Sequence, residues 1–306
     1  MEKKHVAVIG ATGQVGTPLT HGLLSLGHEV IVITRQTQFN EKLTAFEKQG
    51  AKICVCTDLH DVEALAKLLS GVDILVASVP GAKPVIKQSE PVWLEAAIKA
   101  GVKRFVPTEF GVHTQALVMG AGEVFDNKKR FHDLLFRSGI GWTLFYNGGI
   151  FDYFLPNLRF FHKITTFGDL ALPIYTHDIE DIGYLAALAV TDERTLNQCV
   201  QLDHNALSQN DMLALLQQYW PDYPFEYEHF SSDYITAMEQ QAGDGITAKK
   251  GAETDKERWG INYVIYVLGK LAAFNEQTLR TTELYPEYEC KRPEQALSDA
   301  KFVFEE

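Results

Sequence analysis

The chain has 306 residues, of which 46% are hydrophobic and 22% charged, with a formal net charge of −12. That is the make-up of a soluble globular protein with enough apolar material for one large α/β domain or one and a half domains. The negative balance excludes the basic footprint needed on nucleic acid or an anionic membrane, while leaving room for a local basic pocket that takes a phosphate.

Val6-Ala7-Val8-Ile9 predicts a first strand. It runs into Gly10-Ala11-Thr12-Gly13-Gln14-Val15-Gly16 and then a helical pattern carried by Leu19, Leu23, Leu24 and Leu26. Strand, glycine turn and helix together form the layout that holds a dinucleotide pyrophosphate. Gly10 allows the tight turn, Gly13 lets the backbone approach the phosphates, and Gly16 lets the helix pack on the strand. The helix N-terminus adds free N–H groups and a partial positive charge. The spacing is G-x-x-G-x-x-G, not the G-x-G-x-x-G of ordinary Rossmann dehydrogenases.

Glu29 to Thr34 predicts the second strand, and Arg35 follows it. An acidic residue at this point would bond a ribose 2′-OH, whereas a guanidinium accommodates the 2′-phosphate, so Arg35 favours NADPH over NADH. A solvated surface arginine is the plainer alternative. Lys42 is a weaker second phosphate partner. Ala51 to Cys56 predicts strand three, and Asp58 after it serves either an adenine amino group or a helix beginning near Asp61. Val72 to Ser78 predicts strand four, and its exit loop, Ser78-Val79-Pro80-Gly81, is expected to border the cofactor, with Ser78 and Val79 in contact. A helix over Pro91 to Lys99 ends at Gly101. Lys103 to Pro107 predicts strand five, with Thr108-Glu109-Phe110-Gly111 as its exit loop.

The next helix is expected from Glu123 to Ser138, with Val124, Phe131, Leu134 and Leu135 on its apolar face. Ile140 to Phe145 predicts strand six. This cadence gives an α/β fold, a doubly wound parallel Rossmann sheet. Residues 1–147 are expected to form the nucleotide-binding domain. Residues 148–306 are expected to form a smaller mixed α/β, mostly helical substrate lobe, partly interleaved with the sheet. Within that half, Tyr175 to Gly183 is expected to open a helix running to Val190, Gln198 to Leu202 to return as an edge strand, and Ser208 to Phe274 to be mostly helical. Gly243-Asp244-Gly245 and Lys249-Lys250-Gly251 suggest a mobile segment.

Lys128 is the candidate catalytic residue. It lies on the helix after strand five, where short-chain dehydrogenases carry Tyr-x-x-x-Lys, but Val124 stands in the tyrosine position. Its possible roles are proton exchange during hydride transfer, a hold on the ribose hydroxyls, or a surface position beside Lys129 and Arg130. The literal Tyr-x-x-x-Lys, Tyr266 to Lys270, falls late in the chain and reads as chance. Phe110, His113, Phe151, Tyr153 and Phe154 are candidates for lining a substrate pocket, the last three within an aromatic-rich stretch that runs on to Phe160 and Phe161. Plain core is the competing reading for the aromatics, and a structural role for His113. His177-Asp178 reads as a helix cap or as a polar pair at the substrate mouth.

The four cysteines, Cys54, Cys56, Cys199 and Cys290, contain no Cys-x-x-Cys and read as buried thiols, and no metal site is expected. With no signal peptide and no apolar run long enough to span a bilayer, a cytoplasmic monomer or homodimer acting on a small molecule is expected.

Three stretches taken together resemble the isoflavone reductase-like, or NmrA-like, atypical short-chain dehydrogenases. They are Val8 to Gly16, Arg104-Phe105-Val106-Pro107-Thr108-Glu109-Phe110-Gly111, and Val124-Phe125-Asp126-Asn127-Lys128; Leu284-Tyr285-Pro286-Glu287-Tyr288 adds a fourth. The plant reductases carry R-F-x-P-S-E-F-G and V-F-x-x-K, and the lysine of the second motif is the family's catalytic residue. The resemblance implies an NADPH-dependent reductase of aromatic substrates such as isoflavones, lignans, phenylcoumarans and phenylpropenyl esters. It implies cofactor contacts from Gly10, Thr12, Gly13, Gln14, Val15, Gly16 and Arg35, and catalysis by Lys128. Thr108 replaces the plant serine, and Tyr146-Asn147-Gly148-Gly149 departs from the plant S-S-N-C-F. The alternative within the resemblance is a regulator that senses NADP(H) without turnover; such proteins lack the lysine. A sugar-nucleotide epimerase would need the missing tyrosine.

Overall fold

The computed structural model describes residues 2–154, 163–243 and 254–298. In chain order the first half comprises β1 (His5–Ile9), α1 (Gly16–Ser25), β2 (Glu29–Thr34), α2 (Glu41–Lys48), β3 (Lys52–Val55), α3 (Val62–Leu68), β4 (Ile74–Ala77), α4 (Glu90–Ala100), β5 (Arg104–Val106), α5 (Glu123–Arg137) and β6 (Gly141–Tyr146). The second half comprises β7 (Gly149–Ile150), α6 (Phe151–Phe154), β8 (Ile164–Phe167), β9 (Ile174–His177), α7 (Ile179–Thr191), β10 (Gln198–Gln201), β11 (Ala206–Leu207), α8 (Gln209–Tyr219), β12 (Tyr227–Phe230), α9 (Ser232–Gln241), α10 (Asp255–Tyr266), β13 (Leu279–Arg280), α11 (Thr281–Leu284) and α12 (Pro293–Ser298).

Among the described residues the main sheet has eight strands in the order β13-β10-β6-β5-β4-β1-β2-β3. Each neighbouring pair is parallel. Both faces are covered, which is why Val6 to Ile9 and Ile74 to Ala77 are apolar and buried throughout instead of alternating. Leu19 and Leu23 of α1, Leu43 and Phe46 of α2 and Leu185 of α7 pack on one face with Val6, Val8 and Val76. Leu65 of α3, Trp93 and Leu94 of α4, and Phe131 and Leu135 of α5 pack on the other with Leu75, Phe105 and Leu144. A π-helical turn at Val85–Ser89 leads into α4, where Pro91 has no amide to give to the carbonyl four residues back.

Three expectations are corrected here. Ile174 to His177 is a strand rather than the opening of a helix, because β9 pairs with β7 and β11, and the helix begins only at Ile179, with Asp178 accepting the Glu180 amide as its cap. Gln198 to Gln201 rejoins the sheet, but between β6 and β13 and not at its edge. Leu134 faces solvent at 47% exposure, since the buried stripe of α5 runs through Val124, Lys128, Phe131 and Leu135, three to four residues apart.

The second half also builds a three-stranded sheet, β11-β9-β7, and a two-stranded one, β12-β8. A third, smaller core lies there, made by Phe151, Ile164, Met212, Leu216, Ala296 and Leu297. No helix among the described residues is long and apolar enough to cross a membrane.

Candidate active site

The C-terminal ends of β1 and β4 meet where the Ser78 amide donates to the Ile9 carbonyl over 2.8 Å. Gly10 turns the chain there at φ +88, and a Cβ on it would lie 2.1 Å from the Ser78 carbonyl oxygen. A Cβ on Gly16 would lie 2.1 Å from the Gly10 carbonyl oxygen. No L side chain fits either place, so the turn stays open and the start of α1 stays pressed against it. No side chain caps α1 at Val15; the Thr17 amide is taken by the Gly13 carbonyl at 3.0 Å and Pro18 has none, so the amide that the first turn offers an anion is that of Gly16. The turn, the end of β2 and Val79 enclose a cleft of about 130 Å³ that includes Gly10, Ala11, Thr12 and Thr34.

Arg35 lines that cleft, is exposed, and has no hydrogen bond or ion pair among the described residues. Lys42 is committed to the turn itself: its ammonium donates to the Thr12 carbonyl at 3.0 Å and the Thr17 hydroxyl at 3.1 Å. Asp58 accepts the His60 amide, and Asp61 rather than Asp58 caps α3. Ser78 is buried behind Gly10. A cradle that Cβ atoms would fill, beside an unpaired guanidinium, fits a phosphorylated dinucleotide.

Lys128 is not a surface residue; it is 7% exposed. Its ammonium donates to the Glu109 carbonyl over 3.0 Å and stands 3.7 Å from the Glu109 carboxylate oxygen Oε2. Gly81, in the exit loop of β4, faces the end of the lysine, with only 3.2 Å between a Cβ built there and Lys128 Cε. The exit loops of β4 and β5 thus converge on one amine.

Behind Lys128 lies a polar cluster. Glu109 Oε1 accepts from His132 Nε2–H at 2.9 Å and Oε2 accepts from the Thr114 hydroxyl at 2.7 Å. The Gln115 side-chain amide nitrogen lies 2.6 Å from His132 Nδ1 and donates to it, which leaves Nε2–H to face Glu109. Burial alone would raise the Glu109 carboxyl, but the Lys128 ammonium, the His132 ring and the Thr114 hydroxyl outweigh it and hold the group at about 2. Glu90 shows the opposite balance. It is 1% exposed and accepts the Thr108 amide at 2.8 Å. Burial, reinforced by the Glu109 charge, pushes its carboxyl up to about 8 against the pull of that amide and of Lys128. The Thr108 hydroxyl donates to the Val79 carbonyl and joins the two exit loops. Phe110 sits at φ +34, a conformation that side chains rarely adopt, with its ring against Phe145.

Glu90, Thr114, Gln115 and His132 were not singled out from the sequence. One signal was available: His132 stands four residues after Lys128 on the same stripe of α5.

The substrate-lining candidates separate. His113 does not border open space: its ring stacks on Tyr146 at 4.2 Å, Nε2–H donates to the Thr278 hydroxyl and Nδ1 accepts the Ala116 amide. Burial pushes it down to about 4. Phe151 is 2% exposed and belongs to the core of the smaller lobe. Tyr153 is exposed, and its hydroxyl reaches Gln14 in the glycine turn. The Phe154 side chain, like Phe160 and Phe161, lies outside the described residues, as does the whole stretch from Asp244 to Gly251. His177 is a structural residue, donating from Nδ1 to the Asn147 carbonyl and accepting the Asn205 amide at Nε2. Tyr266 is buried against Phe167. The four cysteines are free thiols, but only Cys54 and Cys56 are buried; Cys199 and Cys290 are half-buried.

Known proteins are similar to this chain over most or all of its length. An isoflavone reductase homolog, P3, of Arabidopsis thaliana is 27% identical over 318 residues, covering 97% of this chain and 98% of the relative. The phenylcoumaran benzylic ether reductase IRL1 of Ginkgo biloba is 31% identical over 239 residues, covering 71% of this chain and 76% of the relative. Among solved structures, AtPrR2 with NADP+ and (+)pinoresinol superposes with a TM-score of 0.80 at 25% identity, covering 98% of this chain and 99% of that one. Residues 2–289 match the NmrA-like family, and the chain belongs to it.

Proposed function

We propose that this chain is an NADPH-dependent reductase of a small aromatic or enone-like molecule, with Lys128 as proton donor or acceptor. The observation that carries this reading is the burial of the Lys128 amine where the exit loops of β4 and β5 converge, beside the glycine cradle. Gly10, Thr12, Gly13, Gln14, Val15 and Gly16 hold the pyrophosphate against the start of α1, while Ser78 and Val79 border the nucleotide. The Arg35 guanidinium takes the 2′-phosphate by charge-assisted hydrogen bonds, and Lys42 braces the turn through the Thr12 carbonyl. Bound NADPH supplies a hydride from nicotinamide C4. Lys128 exchanges a proton with the substrate oxygen as charge develops there, and burial keeps bulk water from competing. Phe110, against Phe145, and the exposed Tyr153 are the aromatic side chains we assign to the substrate. Relatives named for isoflavone, phenylcoumaran and pinoresinol reduction support an aromatic ring in that position.

The test is a screen of aromatic enones, benzylic ethers and quinones for oxidation of NADPH, repeated with Lys128→Ala. Turnover that is lost in the variant while NADPH still binds is the expected result. Tight NADPH binding with no turnover of any compound would favour a nucleotide-sensing regulator instead.

A further inference from the structure

We infer that Glu109 is the positioning residue of this site, holding the Lys128 ammonium in place through its backbone carbonyl and matching its charge through its carboxylate. The inference rests on the reductase reading only for what the lysine does in turnover; the pairing itself is a property of the chain alone. The carbonyl at 3.0 Å sets the direction of the amine and the carboxylate at 3.7 Å supplies the charge, so one residue does both.

The carboxylate is itself immobilised. Thr114 and His132 occupy one oxygen each, and Gln115 fixes the tautomer that lets His132 donate. Thr114 and Gln115 come from the same β5–α5 connection as Glu109, and His132 from the helix that carries Lys128, so carboxylate, donors and amine form one hydrogen-bonded unit at the junction of loop and helix.

Other groups face the pair. Glu90 comes from α4, His113 from the loop after β5, Tyr146 from β6 and Cys199 from β10. Burial keeps each of them uncharged near neutrality: it raises the Glu90 carboxyl, the Tyr146 phenol and the Cys199 thiol, and lowers the His113 ring. Glu109 is therefore the counter-charge available to Lys128 among these groups. Without it a buried ammonium would face a neutral, desolvated surrounding, which disfavours the charged form.

The test uses the full chain without added nucleotide, labelled with 13C at the lysine ε carbon, with the Lys128 signal identified by its loss in Lys128→Arg. In Glu109→Gln the pH midpoint of that signal is expected to fall by about one pH unit or more relative to the parent, while Glu109→Asp keeps it within about half a unit. With an active substrate in hand, kcat of Glu109→Gln is expected to fall about ten-fold or more with the NADPH KM nearly unchanged. A midpoint that stays or rises in Glu109→Gln overturns the inference, since mere loosening of the site would expose the amine and raise it. Should that variant not fold, Lys128→Met serves: its Tm deficit against the parent is expected to shrink as pH drops from about 4.5 toward about 2, the range over which the Glu109 contribution is lost. A deficit independent of pH overturns the pairing. A fallen midpoint with no turnover of any substrate would support the pairing and sink the reductase reading, so the two fail separately.

Discussion

The Tyr153 hydroxyl donates to Gln14 Oε1 over 3.0 Å, joining positions 139 residues apart in the chain. Through this bond α6, at the entrance to the smaller lobe, rests on the glycine turn. A nucleotide lying across that turn would thus have a lobe side chain fastened beside its phosphates. Tyr153→Phe removes the bond and keeps the ring. NADPH affinity is expected to fall about 3- to 10-fold, the worth of one ordinary hydrogen bond, with Tm nearly unchanged. Fluorescence titration with NADPH measures it, and an unaltered Kd would mean the contact is incidental.

Among the described residues Arg35 has no protein partner, so its donor set is available to a ligand. NADPH is expected to bind more tightly than NADH. Arg35→Ala should weaken NADPH by about 10- to 100-fold, as for a lost charge-assisted bond, and leave NADH within about two-fold. Competition titrations of both nucleotides on the two proteins decide this. Equal affinities in the parent would remove Arg35 from phosphate recognition.

Gly16 and Gly13 should fail differently. A methyl at Gly16 meets the Gly10 carbonyl oxygen at 2.1 Å, backbone against backbone, so Gly16→Ala is expected to cost about 1–3 kcal/mol of stability. A methyl at Gly13 comes no nearer than 3.1 Å to the Gly10 carbonyl oxygen. Gly13→Ala should keep most of its stability yet lose about ten-fold or more in NADPH affinity, because the methyl stands where the phosphates approach. Thermal melts paired with NADPH titrations separate the two effects. Comparable melts for both variants would contradict this account of the turn.

His177 is held neutral, its basicity pushed down by burial to about 3. Because the folded state resists the proton, its stabilising contribution is present above the unfolded value of about 6.5 and is lost as pH falls toward 3. Between pH 7 and 5 that loss is roughly 2 kcal/mol. Glu90 acts with the opposite sign, its contribution improving as pH falls from about 8 toward 4.5, so the total change is no guide. The comparison must be between parent and variant. On going from pH 7 to 5 the parent is expected to lose about 2–5 °C more in Tm than His177→Asn does. Parallel pH profiles would show that the ring takes up its proton without penalty.

Much of the frame was legible from residues close together in the chain. The strand and turn at Val6 to Gly16 depend on apolar side chains at one place and missing side chains at the next, and both are visible over a dozen residues. The burial of Lys128 is also periodic, four residues from Val124 and three from Phe131. Leu134 misled because hydrophobicity was counted without phase; it lies off the stripe that Lys128 and His132 share. His177 and Phe151 misled in another way. Both have the chemistry of a binding site, and both spend it on packing or on backbone groups that the sequence does not bring near them.

The amino-acid sequence by itself determined the parallel sheet, the glycine cradle, the cation at the end of β2 and the helix that carries Lys128. These follow from backbone conformation and side-chain periodicity over a turn or a strand. Only the tertiary structure decided what surrounds the amine. Gly81, Glu90 and Glu109 come from different strand exits and a separate helix, and which strands end side by side is settled by sheet order. The charge state of each carboxyl then depends on burial and on partners a few ångströms away, so two glutamates 19 residues apart settle on opposite sides of neutrality.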